Sequence, residues 1–571
     1  MILQALYDYY QRHQDSLPSL GKELKEIGFI LVLSDEGEFL YFEDRRTSDK
    51  KSADKFLVRK SVGRSSAPVA NFLYDNSAYV MCYSEKPDPE KNYEVFIKKI
   101  QQTLEKAPDN VDLQRLAKYY SHNREEQLAK LQADPLWEEI NGCLNKKYSF
   151  FSFRFSGEDM IVAEKDELIS LDLDDSDHVS TDGLCLITGE KDRIVETTTA
   201  TSIKGSQATA KLVSFQVNSG YDSYGKRQGG NAPIGKKAEF AYTTSLNKML
   251  EPDSKNKFHI GNRTFLFWTS STDNVATDFE SAVCDFLNSG IEADPQKVKD
   301  MFMSIYTGVK PISADDRFYI LGLSPNSARI AVNYWAELPL KDFARNILQH
   351  FDDFKIIDNR KEKKPYENLR SILAAVTLGG KASDAIPNLP EAVVKSIFQG
   401  LPYPFQLYAA AIRRIRAEQE VGITRAAIIK AYINRIYNYH KKITDMLDTT
   451  CNYPGYLCGR WFAVIEKIQQ DANNINTVKE RYFNGASSTP AAVFPTLINL
   501  SQHHITKLDE GKHIFYEKLV SEIAELLPTD GFPTQLDLIE QGRFILGYYH
   551  QKAALYTSNK SKNENNQSTD N

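Results

Sequence analysis

The sequence predicts an α+β protein, with mixed N-terminal and central α/β regions carrying long loops, followed by an all-α helical bundle. Two patterns predict this class. Short alternating or β-branched apolar segments occur in the first half, whereas apolar residues at helical spacing dominate from about residue 346 onward. A polar, glycine-rich segment, residues 185–250, lies between the two patterns. At 571 residues the chain exceeds the size of a single hydrophobic core, so we expect several domains.

The N-terminal region, residues 1–180, is expected to contain both helices and strands. Its first 13 residues place apolar side chains at helical spacing and predict a helix, and Phe29–Leu33 with residues 39–42 predicts a hairpin around an Asp-Glu-Gly turn. The further elements expected here are a pair of strands around Asp75-Asn76, helices from about residue 93 to 143, and strands within residues 150–169.

Composition divides the rest of the chain into four regions. They are a central loop-rich region (181–345) with a hairpin at residues 318–335, a helical connecting region (346–445), a C-terminal bundle of four amphipathic helices (446–557), and a tail (558–571). Four helices with short connections can enclose their own core. The tail has no apolar side chains, so we expect it to be disordered.

The bulk properties exclude several classes of protein. The net charge is −6 and the pI is about 6.0, so a nucleic acid would have to be bound by a local basic face. The six cysteines include no C-x-x-C pair, which argues against a zinc ribbon and a disulfide framework and favours a reducing cytoplasm. No apolar run is long enough to predict a membrane span. We expect a cytoplasmic protein without a metal or cofactor.

The central polar segment, residues 185–250, is the main candidate for a binding surface. It is loop-like for most of its length, and only residues 212–215 are expected to form a short anchoring strand. Cations, glycine amides and aromatic faces are suited to holding a nucleic-acid backbone and its bases. The candidates for phosphate and stacking contacts are Lys204, Lys211, Tyr224, Lys226, Arg227, Lys236 and Lys237.

Amide side chains are the candidates for reading base edges, since Asn and Gln suit adenine in the major groove. Asn71 lies between a basic stretch and a predicted strand. Four further candidates lie in the central segment: Gln216, Asn218, Gln228 and Asn231. Amides in loops also form turns, so both roles stay open for each of them.

Catalytic signatures are incomplete. Residues 230–237, GNAPIGKK, match seven positions of a P-loop, but Lys237 stands where Ser or Thr must ligate magnesium, and no buried strand precedes the segment. The acidic run at residues 171–177 lacks the glycine and glutamate of an EF-hand and indicates a solvated loop. No nucleophile elbow or zinc-binding histidine motif occurs. We therefore expect a binding protein with no catalytic residue.

A basic helical stretch, residues 411–440, offers a second cationic surface. Two interpretations stay open, because its cations can be neutralised by acidic side chains of the same chain or can contact phosphates. The cations are Arg413, Arg414, Arg416, Arg425, Lys430 and Arg435.

Short segments along the whole chain resemble one family in the same order. In the central segment they are CLITGE (185–190), IKGSQ (203–207), LVSF (212–215), SYGKRQGGNAP (223–233) and AYTTSLNKML (241–250). Outside it they are MILQAL at the start, LGLSPNSARIAVNYW (321–335), LPYPFQLYAAAIRRIRAE (401–418), YLCGRWFAVIEKIQ (456–469), RYFNGASSTPAAVFP (481–495) and QGRFILGYYHQK (541–552). The ordered set resembles the large subunit of the type I-C (Dvulg subtype) CRISPR Cascade complex. The chain departs from that pattern at residues 198–202, where the family commonly has His-Pro, and at Gln216, where it commonly has Asn.

The resemblance implies a non-catalytic subunit of an RNA-guided surveillance complex. Such a subunit recognises the protospacer-adjacent motif in duplex DNA, supports strand opening and docks a helicase-nuclease. Its implied partners are the target DNA, the backbone subunits bound to CRISPR RNA, and the helicase-nuclease. Because guide pairing supplies the long-sequence specificity, the protein need read only a few base pairs. The alternative is a nucleic-acid-processing enzyme of the same defence system, such as an RNA endonuclease.

The resemblance also implies a second product of the same gene. In type I-C systems the small subunit is made from an internal start within the large-subunit gene. Residues 446–557 are therefore expected to occur also as a free small subunit. Met446 is the candidate start, because no other methionine follows Met303.

Overall fold

The structure, a computed structural model, describes residues 1–62, 64, 67–173, 182–217, 224–288, 294–358, 360, 366–440 and 442–567, with the side chains of the last helix described to Tyr556. The chain forms two compact units. Unit 1 comprises Met1–Ala200 and Val213–Asn247, and unit 2 comprises Thr201–Leu212 and Lys248–Asn571. The predicted α+β class is confirmed, and the central polar segment is shared between the two units.

Unit 1 contains a four-stranded sheet in the order β3-β2-β6-β5. The predicted hairpin is present as β2 (Phe29–Leu33) and β3 (Phe39–Asp44), and β2 also pairs in parallel with β6 (Phe151–Phe155). Every side chain of β2 is buried, as expected for a central strand covered on both faces. The short strand β5 (Tyr74–Asp75) pairs with the other edge of β6, and a separate ladder joins β1 (Lys22–Glu26) to β4 (Lys55–Arg59).

The helices of unit 1 confirm the expected first helix and the helical stretch after residue 90. They are α1 (Ile2–Arg12), α2 (Ser77–Val80), α3 (Glu90–Lys106), α4 (Val111–Ser121), α5 (Arg124–Gln132), α6 (Trp137–Asn141) and α7 (Asp166–Leu173). Unit 1 continues with β7 (Asp182–Leu184), β8 (Lys191–Arg193) and α8 (Lys236–Met249). The boundary between the units falls inside α8, so this helix belongs to unit 1 up to Asn247.

Three strand predictions in this region are wrong in whole or in part: β5 and β6 confirm one strand near Asp75 and one within residues 150–169, but the other expected strands do not form. After Asp75 the chain forms a helix, because Asn76 Oδ1 accepts a hydrogen bond from Ala78 N and caps it. Beyond Phe155 the chain turns at Gly157, which has φ +82°, and then enters α7 with acidic residues in its first turn, which favour a helix N-terminus. Residues 212–215 form no strand. The acidic run predicted to be a loop begins inside α7 and lies outside the described residues from 174 onward.

Unit 2 begins with an antiparallel sheet in the order β12-β11-β10-β9. Its strands are β9 (Lys257–Ile260), β10 (Arg263–Thr269), β11 (Arg317–Asn326) and β12 (Arg329–Pro339), and the last two confirm the hairpin predicted at residues 318–335. Phe265, Phe267, Phe318 and Ile320 point from one face into a core formed with the helices. The first helices of unit 2 are α9 (Asn274–Asn288), α10 (Pro295–Thr307), α11 (Leu340–Phe354), α12 (Leu369–Ala375), α13 (Leu389–Gln399), α14 (Phe405–Glu418) and α15 (Ile423–Ile436).

Within the described residues, five helices follow Met446, one more than the sequence predicts. They are α16 (Pro454–Asn473), α17 (Thr477–Ala486), α18 (Pro490–Ile505), α19 (Glu510–Ala524) and α20 (Leu538–Gln567). The backbones of α16 and α20 lie so close that a side chain at Gly459 would collide with Phe544 O. The buried core is continuous from Phe258 to Leu555, so these helices share it with α11–α15. Tyr408 Oη of α14, for example, donates a hydrogen bond to Leu538 O at 2.7 Å.

The backbone of α20 continues to Gln567, into the segment predicted to be disordered. Residues 558–567 contain neither proline nor glycine, so a helix that starts in the core meets no residue that would end it. Among the helices that the structure describes, none combines the length and the apolar character needed to cross a bilayer.

Candidate nucleic-acid interface

The basic loop, defined as residues 224–237, is held against the β7–β8 hairpin of unit 1. The hairpin pairs antiparallel and is closed by a hydrogen bond from Cys185 N to Glu190 O at 2.9 Å. Main-chain hydrogen bonds join the hairpin region to the loop, from Leu186 N to Pro233 O (2.9 Å), from Val195 N to Ile234 O (3.0 Å) and from Gly229 N to Glu196 O (3.0 Å). A loop with few apolar residues is thus fixed by its backbone and not by a core.

The N-terminus of α8, where the P-loop-like sequence ends, is occupied by groups of the chain itself. Asp192 Oδ2 accepts a hydrogen bond from Lys237 N at 3.0 Å, and a side chain at position 235 would collide with that carboxylate. Burial alone would raise the pKa of the Cys185 thiol, but N–H groups including that of Gly235 donate to its sulfur and lower the pKa. Two of the amides that would face a phosphate in a P-loop, those of Gly235 and Lys237, are therefore already used.

Several side chains of the basic loop face solvent. Tyr224 is fully exposed, in a left-handed backbone conformation with φ 52°. Lys226, Arg227 and Lys237 are also exposed, and within the part of the chain that the structure describes none of the three pairs with a carboxylate. Lys236 is half-buried in the first turn of α8. The loop therefore presents three cations and an aromatic ring that no acidic group of the described chain neutralises.

The amide candidates of the central segment differ in their surroundings. Gln216 is exposed, whereas Gln228 and Asn231 are half-buried and lie in the same 3-10 turn, in which Asn231 Nδ2 donates to Gln228 O at 3.0 Å. Asn218 lies outside the described residues. A base-reading role for these four side chains stays a prediction.

Asn71, the remaining amide candidate, is buried and closes a loop in unit 1. Its Oδ1 accepts a hydrogen bond from Val62 N at 3.0 Å, and its own N donates to Asp75 Oδ2 at 2.9 Å. The same carboxylate pairs with the Arg64 guanidinium. The acceptor atom that would meet an adenine amine is thus engaged within the protein, and base reading by Asn71 stays a prediction.

Lys204 and Lys211 belong to unit 2, unlike the rest of the phosphate candidates. Lys204 is exposed. Lys211 is half-buried, and its backbone forms a β-bridge to Arg329, with Ile330 N donating to Lys211 O at 3.2 Å. The two lysines therefore lie beside the β11–β12 hairpin and not in the basic loop.

Residues 198–202, where the sequence departs from the family pattern, make contacts that the sequence did not reveal. Thr198 Oγ1 donates to Val213 O at 2.6 Å, and Thr199 N donates to Glu239 Oε1 at 2.5 Å. Lys60 Nζ in turn donates to Thr199 Oγ1 at 2.7 Å. Glu239 is buried on α8, the helix that begins at the end of the basic loop. These bonds therefore attach residues 198–199 to that helix. No local pattern could have indicated the role of Lys60, which lies 139 residues away in sequence.

The basic helices of unit 2 provide a contrast, because acidic side chains of the same chain neutralise three of their six cations. Arg414 and Arg425 both pair with Glu418. Arg435 Nε lies 2.6 Å from Asp353 Oδ2, and both side chains are buried. The interpretation with intramolecular acidic partners is therefore correct for these three arginines.

The comparison with protein families identifies the group to which the chain belongs. A family model described as CRISPR-associated protein (Cas_Csd1) matches residues 6–556. The protein is a member of this CRISPR-associated family. The matched residues include nearly all of both units and the whole basic loop. A search of curated proteins gave no match. Among the described residues, no group of three or more His, Cys, Asp or Glu side chains is placed to hold a metal ion.

Proposed function

We propose that this CRISPR-associated protein is the non-catalytic large subunit of a type I-C Cascade complex. It recognises the protospacer-adjacent motif in duplex DNA, supports strand opening and docks the helicase-nuclease. The observation that carries the proposal is the basic loop, because its three exposed cations have no acidic partner in the described chain although the protein as a whole carries a net charge of −6. Family membership supports the defence role.

Each part of the basic loop has a task in this proposal. Lys226, Arg227 and Lys237 contact phosphates and fix the register of the protein on the duplex. Neighbouring amides such as Gln216 then reach base edges. The exposed ring of Tyr224 stacks on a base that strand opening uncovers. The backbone bonds to the β7–β8 hairpin keep these groups in one place before DNA arrives.

Binding of the assembled complex to a library of duplexes with randomised motifs tests this proposal. The double variant Lys226→Gln/Arg227→Gln should weaken binding to every duplex, since it removes phosphate contacts, and should leave the ranking of motifs unchanged. The matched control is Lys86→Gln/Lys91→Gln, which removes two exposed cations elsewhere on unit 1. Equal losses for both variants, or the absence of any motif preference in the wild-type complex, would contradict the proposal.

The absence of catalysis is tested separately. The purified chain should leave labelled DNA and RNA intact in the presence of Mg²⁺ or Mn²⁺. Metal-dependent cleavage that one substitution of an Asp, Glu or His abolishes would instead support the RNA endonuclease alternative.

The small subunit from an internal start is part of the same proposal. Met446 is exposed and lies between α15 and α16, so a product that starts at Met446, or at a non-AUG codon close by, contains all of α16–α20. Mass spectrometry of the native complex should detect a shorter species with this C-terminal sequence. Detection of only the full-length chain in a complete and active complex would rule the idea out.

A further inference from the structure

A second group of basic side chains lies in unit 2, around the edge strand β9. We call it the β9 cluster, and it consists of Lys204, Lys257, His259 and Arg370. His259 Nδ1 lies 3.0 Å from Thr264 Oγ1 on the adjacent strand β10. Arg370, in the first turn of α12, donates from Nη2 to His259 O at 3.3 Å and lies over the ring of Phe258. The imidazole and the guanidinium are thus positioned by strand and helix backbone.

Lys204 is brought to this cluster by the segment 201–212, which belongs to unit 2. Gln207 N donates to Ser327 O at 3.5 Å in the β11–β12 turn, and a side chain added at Gly205, which has φ +83°, would contact Pro325. The positive φ at Gly205 is a conformation that few other residues adopt. The segment therefore has a defined path beside the sheet, and Lys204 is exposed along it.

The charged groups that act on His259 are all of one sign, although Lys257 itself lies near the carboxylates of Glu251 and Asp253. Burial lowers the pKa of His259, and repulsion by Lys257, Lys204 and Arg370 lowers it further, with no carboxylate acting in the opposite direction. Within the described residues, Lys204 and Arg370 form no ion pair. The nearby Arg263 on β10, by contrast, pairs with Glu391. Arg263 is therefore neutralised within the fold, whereas Lys204 and Arg370 are paired with no carboxylate of the described chain.

We propose that the β9 cluster binds a backbone phosphate of a nucleic-acid strand. Arg370 and Lys204 supply the charge, and His259 supplies an N–H donor beside them. A bound phosphate would offset the positive charge of Lys204 and Arg370, which no ion pair of the described chain neutralises. This inference rests on the proposed contact with nucleic acid, but it assigns a site on unit 2 that does not use the basic loop of unit 1.

Two measurements on the full-length chain test the site. The first is the affinity for a single-stranded DNA, a single-stranded RNA and a duplex of equal length. Lys204→Gln/Arg370→Gln should weaken binding to at least one of them about tenfold and reduce the log–log salt slope by about 1.4 for a single strand or 1.8 for a duplex. The matched control, Lys341→Gln/Lys518→Gln, removes two exposed lysines on α11 and α19 and should change neither quantity.

The second measurement is ¹³C-histidine NMR, with His259→Gln to assign the imidazole signal. The pKa of His259 should rise when the oligonucleotide binds and should not rise in Lys204→Gln/Arg370→Gln. Two results would overturn the proposal. One is a pKa of His259 that rises with inorganic phosphate but with none of the oligonucleotides. The other is an affinity of Lys204→Gln/Arg370→Gln that is unchanged for all three nucleic acids. If the variant binds normally while Lys226→Gln/Arg227→Gln does not, this inference fails and the proposed function stands.

Discussion

The basic loop of unit 1 and the basic helices α14 and α15 of unit 2 have similar densities of cations but opposite surroundings. In the loop, Lys226, Arg227 and Lys237 pair with no carboxylate of the described chain. In the helices, Arg414 and Arg425 share Glu418, and Arg435 is buried against Asp353. The position of a carboxylate in three dimensions therefore decides whether a basic stretch stabilises the fold or is available to a phosphate.

The largest effect should come from breaking the buried pair in the helices. Arg435→Leu leaves the Asp353 carboxylate buried without its partner, which should lower the free energy of unfolding of unit 2 by about 3–5 kcal/mol. Denaturant or thermal unfolding of the full-length chain measures this change. Arg413→Leu is the control, because Arg413 is exposed on the same basic stretch. Equal unfolding midpoints for the two variants would show that the buried pair does not stabilise the fold.

The fold was more predictable than the site. The first hairpin, the hairpin β11–β12 and most helices were predicted, because a period of two or of 3.6 residues is a local property of the sequence. The second strand expected after Asp75 was not formed, since the Asn76 cap selects a helix. The shared core of α11–α20 was not predictable, because it depends on long-range contacts such as that of Tyr408 on α14 with Leu538 on α20.

For the candidate site, the sequence located the cations but not their partners. It marked Lys226 and Arg227, which are exposed and without ion pairs, and it marked Asn71, which is buried. It left open the roles of Arg414 and Arg425, since only the folded chain places both beside Glu418. It also did not group Lys204 with Arg370, which lie 166 residues apart in sequence and both act on His259 of β9.

The buried imidazole of His350 should make unit 2 sensitive to acid. Burial, together with the charge of Arg435, lowers the pKa of His350 to about 3, so the folded protein keeps this imidazole neutral. The unfolded chain binds a proton below a pH of about 6.5, so stability should be lost as the pH falls from about 6.5 toward 3, by about 1.4 kcal/mol per pH unit. Unfolding measured across this range should show a flatter pH dependence for His350→Gln than for the wild type.

His503→Gln is the control for this experiment, because His503 is exposed on α18. The pH dependence of this variant should differ from that of the wild type less than that of His350→Gln does. A pH profile of His350→Gln that is as steep as that of the wild type would mean that His350 takes up a proton in the folded state as readily as in the unfolded one.

A smaller effect is expected from the residue that anchors the basic loop. Asp192→Ala removes the carboxylate that accepts from Lys237 N, which should cost about 1 kcal/mol of stability at the start of α8. Duplex binding by the complex should weaken a few-fold with an unchanged salt slope, because no cation is lost. Asp182→Ala removes an exposed acid from the same hairpin and serves as the charge-matched control. If Asp182→Ala weakens binding equally, the anchoring role of Asp192 is wrong.

The salt dependence of duplex binding by the assembled complex tests the central contrast most directly. It compares Lys226→Gln/Arg227→Gln in the basic loop with Arg414→Gln/Arg425→Gln in the basic helices. The loop variant should reduce the slope of log K against log salt by about 1.8, and the helix variant should leave it unchanged. Equal slopes for the loop variant and the wild type, or a reduction confined to the helix variant, would contradict the assignment of the basic loop to the DNA backbone.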